Sequence, residues 1–225
     1  MKIRHGDTTI LNAKKAAARA TYHHGDLRAA LIAATEEVLL EHGVEAFSLR
    51  AAARRAGVSP AAPAYHFGDA AGLLTEVAIA GFEELTRFLR RWSDKGGKIP
   101  QARLRSQGEG YIRFALANRA RFQLMFRKDK LKADPRLFAA AEESFACLQT
   151  AVCEAMGLPP SANPGPDVMI LVLASWSIVH GFAHLLLDGQ FDRMAEDRKL
   201  DKFLDATIPK LLQTVAVPTR SKPHE

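Results

Sequence analysis

An all-α chain is what the sequence predicts, on three observations. Alanine, the strongest intrinsic helix former, occurs 38 times in 225 residues. No run of alternating Val, Ile and Thr supports a strand. The prolines cluster between blocks whose apolar residues recur at helical spacing. The composition is 48% hydrophobic and 25% charged, which excludes a mostly disordered chain, a collagen and a disulfide scaffold. A chain of this length buries a sizeable core without cross-links. Its two cysteines point to a reducing compartment, and a cytoplasmic protein is expected.

Residues 1–20 are basic, polar and aperiodic, and read as a flexible arm. Up to Arg28 the chain holds six Lys/Arg against Asp7 and Asp26, within an overall net charge of +6. The first helix is expected from Asp26 to His42. Leu27, Leu31, Ala34 and Val38 step by four, three and four and make one apolar stripe, and Gly43 stands where helices end. Ser48 is an N-cap for a short helix to Arg55, stopped by Gly57. Ser59 caps a third helix, with Pro60 in its first turn. Asp69 caps a fourth and longer helix to about Ser93.

Five longer helices follow, near 100–117, 119–127, 134–156, 167–187 and 197–215. Asp134-Pro135 is a strong start signal, and the stretch GLPPSANPGP from Gly157 is a break. The tail at 218–225 is expected to be disordered. Val168 to Leu187 is nearly long enough and apolar enough to span a bilayer. Ser175, Ser177, His180 and His184 lie inside it, so a helix buried on nearly all sides is the expectation. No signal-peptide pattern opens the chain.

Three short helices in about forty residues, with Ala56-Gly57-Val58 as a tight turn between the second and third, make a helix-turn-helix. In that motif the third helix enters the major groove. Residues 46–68 contain Arg50, Arg54 and Arg55 and no acid, as a surface facing polyanionic DNA requires. The plain alternative is a solvated basic face.

The stretch HGDLRAALIAATEEVLLEHGVEAFSLRAAARRAGVSPAAPAYHFGDAAGLL, His24 to Leu74, resembles the DNA-binding domain of the TetR family of transcriptional regulators. The register carries the resemblance: an amphipathic helix, Gly43, Phe47-Ser48, Gly57-Val58-Ser59, then His66-Phe67 before Leu73-Leu74. Phe114-Ala115 and NRARFQLMF (Asn118 to Phe126) resemble a subgroup of that family with a Trp-x-x-x-His-Gly signature, here Trp176, His180 and Gly181. The resemblance implies a helix-turn-helix domain at 21–68 and a ligand-binding and dimerisation domain at 69–217. It implies DNA contacts from Ser48 and Arg50. Ser59, Pro60 and Ala61 open the recognition helix, and Tyr65 and His66 stand at its far end. Phe67 packs the small core. Two departures stand out. Ala64 replaces a common aromatic, and Ala70 replaces a common lysine that contacts phosphate. With few side chains for bidentate base contacts, specificity falls to Tyr65, His66, methyl contacts and DNA shape.

The resemblance further implies a homodimer through the helices at 167–187 and 197–215, and a small-molecule effector in an apolar cavity. Trp176, His180, Phe126, Tyr111, Trp92 and Met125 are the candidate lining residues. The function implied is a one-component repressor that reads palindromic double-stranded operator DNA and lets go when the effector binds. Two other classes stand as alternatives. One is an all-α carrier or enzyme without sequence-specific DNA binding; the other is a protein that coats DNA without sequence preference. The chain has no G-x-S-x-G, P-loop, G-x-G-x-x-G or H-E-x-x-H, so no enzyme is expected. His180 and His184 have metal-ligand spacing but no third ligand near, and neither metal nor cofactor is expected. Cys147 and Cys153, six apart on one helix, face different ways and read as buried small hydrophobes.

Overall fold

In the computed structural model of the chain, residues 24–159, 164–195 and 200–214 are described. The predicted arm at 1–20 and tail at 218–225 lie outside them. Among the described residues every regular element is helical, as predicted. The chain packs as two units, divided between Leu73 and Leu74.

The first unit holds α1 (His24–His42), α2 (Leu49–Arg55), α3 (Ala62–Phe67) and the first turn of α4 (Ala70–Lys95). The predicted stripe of α1 is its inner face: Leu31, Ala34 and Val38 are buried. Leu31, Ala52, Phe67 and Leu73 form the core, flanked by Leu27, Phe47, Leu49 and Val58. Each large apolar side chain sealed there contributes about 1.5–3 kcal/mol. Thr35 is buried among them, and its hydroxyl donates to the Leu31 carbonyl at 2.7 Å.

The turn after α2 shows why a glycine sits there. The Gly57 N–H bonds the Arg54 carbonyl and the Val58 N–H bonds the Ala53 carbonyl. This Schellman closure needs a left-handed residue after the C-cap, and Gly57 has φ +68°. Val58 then drops back onto the core.

The third helix starts later than predicted. Pro60 and Ala61 form a turn in which the Ala62 N–H bonds the Ser59 carbonyl at 3.0 Å, and no side chain caps α3. Pro63 is the reason. Four residues after Ser59, it has no N–H for that carbonyl and its ring would collide with it. It is tolerated only in a helix's first turn, so the helix begins beside it. The Asp69 cap of α4 stands as predicted, its carboxylate accepting from the Gly72 N–H at 2.8 Å.

The second unit contains the rest of α4, then α5 (Pro100–Ala117), α6 (Arg119–Met125), a 3-10 turn (Lys128–Lys130), α7 (Pro135–Ala155), α8 (Pro166–Leu187), α9 (Asp192–Ala195) and α10 (Leu200–Gln213). The short α9 is not foreseen by the sequence. α5 is central and packs on α7, α8 and α10. It runs antiparallel to α7: Gln101 donates to the Ala155 carbonyl at 2.8 Å, and Gln107, further along α5, to the earlier Cys147 carbonyl at 3.3 Å. Gly110 lets α4 and α5 close on each other. A Cβ there would stand 2.5 Å from Trp92 Cγ.

α8 corrects an expectation. Its Val172, Ser175, Val179, Phe182, Ala183, Leu186 and Leu187 are buried, but Ile170 is 63% exposed, and Leu173 and Leu185 nearly half exposed. The helix is buried on one side and apolar on both. By length and composition it is the one described helix apolar enough to cross a membrane. Its inner face belongs to a core of Ile112, Phe114, Phe122 and Ile208. Both cysteines are free thiols.

Candidate functional site

The surface of the helix-turn-helix follows from the local structure. Ser48, extended at φ −144° and ψ 147°, caps α2 by accepting from the Ala51 N–H at 3.2 Å. Arg50 and Arg54 project into solvent, with no ion pair among the described residues. Arg55 is different. It bridges Glu37 at 2.9 Å and also Glu41, both on α1. These two hydrogen-bonded carboxylates hold the Arg55 guanidinium firmly charged, and the guanidinium draws the Glu41 carboxyl below its usual range. Arg55 therefore ties α2 to α1, and the basic face narrows to Arg50 and Arg54.

Ser59, Pro60 and Ala61 are exposed and sit in the turn that leads into α3. Ala64 and Tyr65 face outward from α3, Tyr65 with 82% exposure. Its ring meets His66 edge-on at 5.2 Å. His66 is half-buried, and Phe67 is sealed beneath the Arg28 guanidinium, 4.9 Å from the ring centre. An aromatic hydroxyl this exposed has no packing role and is free to meet a ligand.

In the second unit α4, α5, α7 and α8 surround a cavity of about 850 Å³. Phe82, Leu85, Met125, Phe126, Leu137 and Trp176 give it apolar walls. Gln107, Tyr111, Ser144 and Ser175 add neutral polar groups, and Arg105, Lys128, Lys132 and Glu142 add charge. This is the common plan of a small-molecule site: concave, mostly apolar, with a few polar groups.

A hydrogen-bonded chain stands in one wall. The Trp176 indole N–H points at the Tyr111 oxygen at 3.4 Å, and that hydroxyl lies 2.8 Å from His180 Nδ1. An indole only donates. Tyr111 thus receives from Trp176 and donates its own proton to His180, which puts the His180 proton on Nε2. Burial, with His184 beside it, pushes His180 down to about 4. Burial pushes the Tyr111 phenol up, against a smaller opposing effect of Trp176. The chain of groups is uncharged at neutral pH. Phe126 meets the His180 ring edge-on at 4.5 Å, and the His184 ring stands 4.5 Å beyond.

Four of the six candidate lining residues, Tyr111, Met125, Phe126 and Trp176, do line the cavity. His180 and Trp92 do not. His180 stands behind Tyr111 as its hydrogen-bond acceptor. Trp92 stacks on Phe88 at 6.1 Å, under the Lys95 ammonium at 3.8 Å, on the side of α4 that meets Gly110. The polar wall residues Gln107, Ser144 and Ser175 escape the sequence reading. Their signal is present in the sequence: each falls on the otherwise apolar face of its helix.

The chain matches two family models. One, described as bacterial regulatory proteins of the tetR family, covers residues 31–77. The other, a tetracyclin repressor-like C-terminal domain, covers residues 104–211. Among solved structures, a protein of unknown function from a Rhodococcus species is 32% identical, with 86% of this chain and 97% of that one covered and a TM-score of 0.68. The TetR family regulator PfmR from Thermus thermophilus shares 19% identity, over 81% of this chain and 94% of that one, at 0.60. LfrR from Mycobacterium smegmatis, solved in complex with proflavine, shares 18% over 85% and 97%, at 0.58. The last two likenesses speak for the fold alone. A comparison with curated protein sequences finds no match.

Proposed function

The chain belongs to the TetR family of transcriptional regulators, and on that premise we propose that it is a cytoplasmic one-component repressor. It binds a palindromic operator as a homodimer and is released by a small, largely apolar effector. The observation that carries this reading is the exposed Tyr65 on a short helix, in a segment, residues 46–68, that has the exposed Arg50 and Arg54 and no acid of its own. Ser48, Arg50, Ser59, Pro60, Ala61, Tyr65 and His66 are the proposed DNA-facing set. Arg50 and the Ser48-capped end of α2 meet phosphate, and Tyr65 and His66 meet sugar, phosphate or base edges.

The exposed apolar side of α8, with Ile170, Leu173 and Leu185, supports the homodimer, since apolar faces of this kind mark interfaces. α10 joins it in the proposed contact. A dimer presents two recognition helices about 34–36 Å apart, one turn of duplex. The cavity is the effector site, with Tyr111, Met125, Phe126 and Trp176 against the ligand and His180 holding the Tyr111 hydroxyl. Trp176, His180 and Gly181 mark the subgroup signature. Effector binding favours a state with lower operator affinity, which is a shift between populations.

A gel shift tests the reading, using palindromes from the DNA beside the chain's own gene. The parent is expected to prefer one duplex by at least about a thousandfold over random sequence. Tyr65→Ala and His66→Ala should each weaken binding. Equal binding to all duplexes would indicate a DNA-coating protein. No binding at all, with the cavity still occupied by ligands, would indicate a carrier.

A further inference from the structure

We infer that the molecule this cavity takes is uncharged and largely apolar, with one hydroxyl or N–H group that donates a hydrogen bond to the Gln107 amide oxygen. The inference rests on the effector-site reading above and adds the direction of the hydrogen bond. The charged wall residues Arg105, Lys128, Lys132 and Glu142 are all exposed to solvent. The buried polar side chains of the wall are Gln107, Tyr111, Ser144 and Ser175, each at most 7% exposed. They gather where α5, α7 and α8 meet. Gln107 and Tyr111 are one turn apart on α5 and share a face. Gln107 reaches the Cys147 carbonyl of α7 at 3.3 Å, one turn from Ser144. Tyr111 reaches Trp176 of α8 at 3.4 Å, next in the chain to Ser175.

The protons of this cluster are already committed. The Ser144 hydroxyl donates to the Ala141 carbonyl at 2.8 Å, and the Ser175 hydroxyl to the Leu171 carbonyl at 2.7 Å. Each bonds the preceding turn of its own helix. The Tyr111 proton goes to His180 at 2.8 Å. One Gln107 N–H goes to Cys147, and only the amide nitrogen can donate to a carbonyl, so Oε1 is the free end. Among the described residues nothing donates to Gln107 Oε1, Ser144 Oγ or Ser175 Oγ. No described side-chain oxygen or nitrogen is sealed away without a partner, so Oε1 opens into the cavity that Gln107 lines. Against these three acceptors the cluster keeps one donor, the second Gln107 N–H. A guest that displaces water from the oxygens must bring protons of its own or leave them bare, which is costly. A hydroxyl or N–H meets that need. An ether or ketone meets the one N–H and leaves the oxygens bare.

Two naphthalenes of one skeleton test the direction. 1-Naphthol carries a hydroxyl, uncharged near neutral pH, and 1-methoxynaphthalene has a methyl in place of that proton. The ether is the more apolar, so transfer into an apolar cavity would on its own favour it. The intact protein is expected instead to bind 1-naphthol about tenfold more tightly in equilibrium dialysis. Gln107→Met, close in volume and checked by circular dichroism for an unchanged fold, should erase that preference. Equal binding of the two by the parent, tighter binding of the ether, or a 1-naphthol preference that survives Gln107→Met would each overturn the inference while leaving the cavity reading intact. The parent comparison needs no variant, and decides the matter if Gln107→Met does not fold. If neither compound binds the parent, the cavity reading fails and the inference falls with it.

Discussion

Both units are built of helices and put them to opposite ends. In the first, the core is closed with small parts: Leu31 and Ala52 are fully buried, and Phe67 seals the edge. What remains for function is the outside, where Tyr65 stands clear of the core. In the second, the core is built of large rings, Phe114, Phe122 and Tyr111 among them, yet it leaves about 850 Å³ unfilled. Function there is expected on the inside. A tightly filled unit offers a partner its shape, whereas an underfilled one offers its interior. Dense packing is the rule in protein cores, so the open volume is the exception that needs a role.

The largest effect should come from removing a ring packed behind the cavity wall. Phe122 is fully buried and meets Tyr111, Phe126, His180 and His184 at 5.2–5.8 Å. Phe122→Ala should cost about 3–5 kcal/mol in chemical denaturation. A cost below about 1 kcal/mol would mean that the second unit is not held by close packing at all.

A matched pair of substitutions sharpens the contrast further. Ala52→Leu overfills the sealed core of the first unit and should cost about 1–3 kcal/mol. Ala141→Leu, on the cavity wall, extends into open space and should cost under about 0.5 kcal/mol, on the same overpacking argument. Denaturation midpoints check both. Equal costs would show that the two interiors are packed alike.

The smallest expected effect is on pH dependence. His180 is near 4 in the folded chain and about 6.5 when unfolded. Between those values the unfolded chain binds the extra proton. Stability is therefore complete above about pH 6.5 and declines as the pH falls toward about 4. His180→Gln should flatten that part of a thermal-midpoint profile. An identical slope in parent and variant would assign the decline to other groups.

Helix limits are legible in the sequence because caps and breakers are local chemistry. Ser48, Gly57, Asp69 and Asp134 each stand where the structure uses them. The start of α3 is misread because Ser59-Pro60 is a good signal on its own, and the veto comes from Pro63. Arg55 is readable too: Glu37 and Glu41 are one turn apart on α1, a ready receptor for a guanidinium. Trp92 shows what periodicity withholds. A ring on the apolar side of a helix packs against either a neighbour or a void, and only the neighbour's residue, Gly110, tells which. The expectation for His180 errs by one layer, since the ring stands behind the wall and not on it.

The uneven placement of the chain's two tryptophans has an optical consequence. Trp176 borders the cavity and donates to Tyr111, while Trp92 is stacked and sheltered elsewhere. A guest that displaces water from the cavity alters the surroundings of one indole and leaves the other as a constant background. The molecule thus carries its own fluorescent gauge of occupancy, with an internal reference, and needs no label for its guest to be counted.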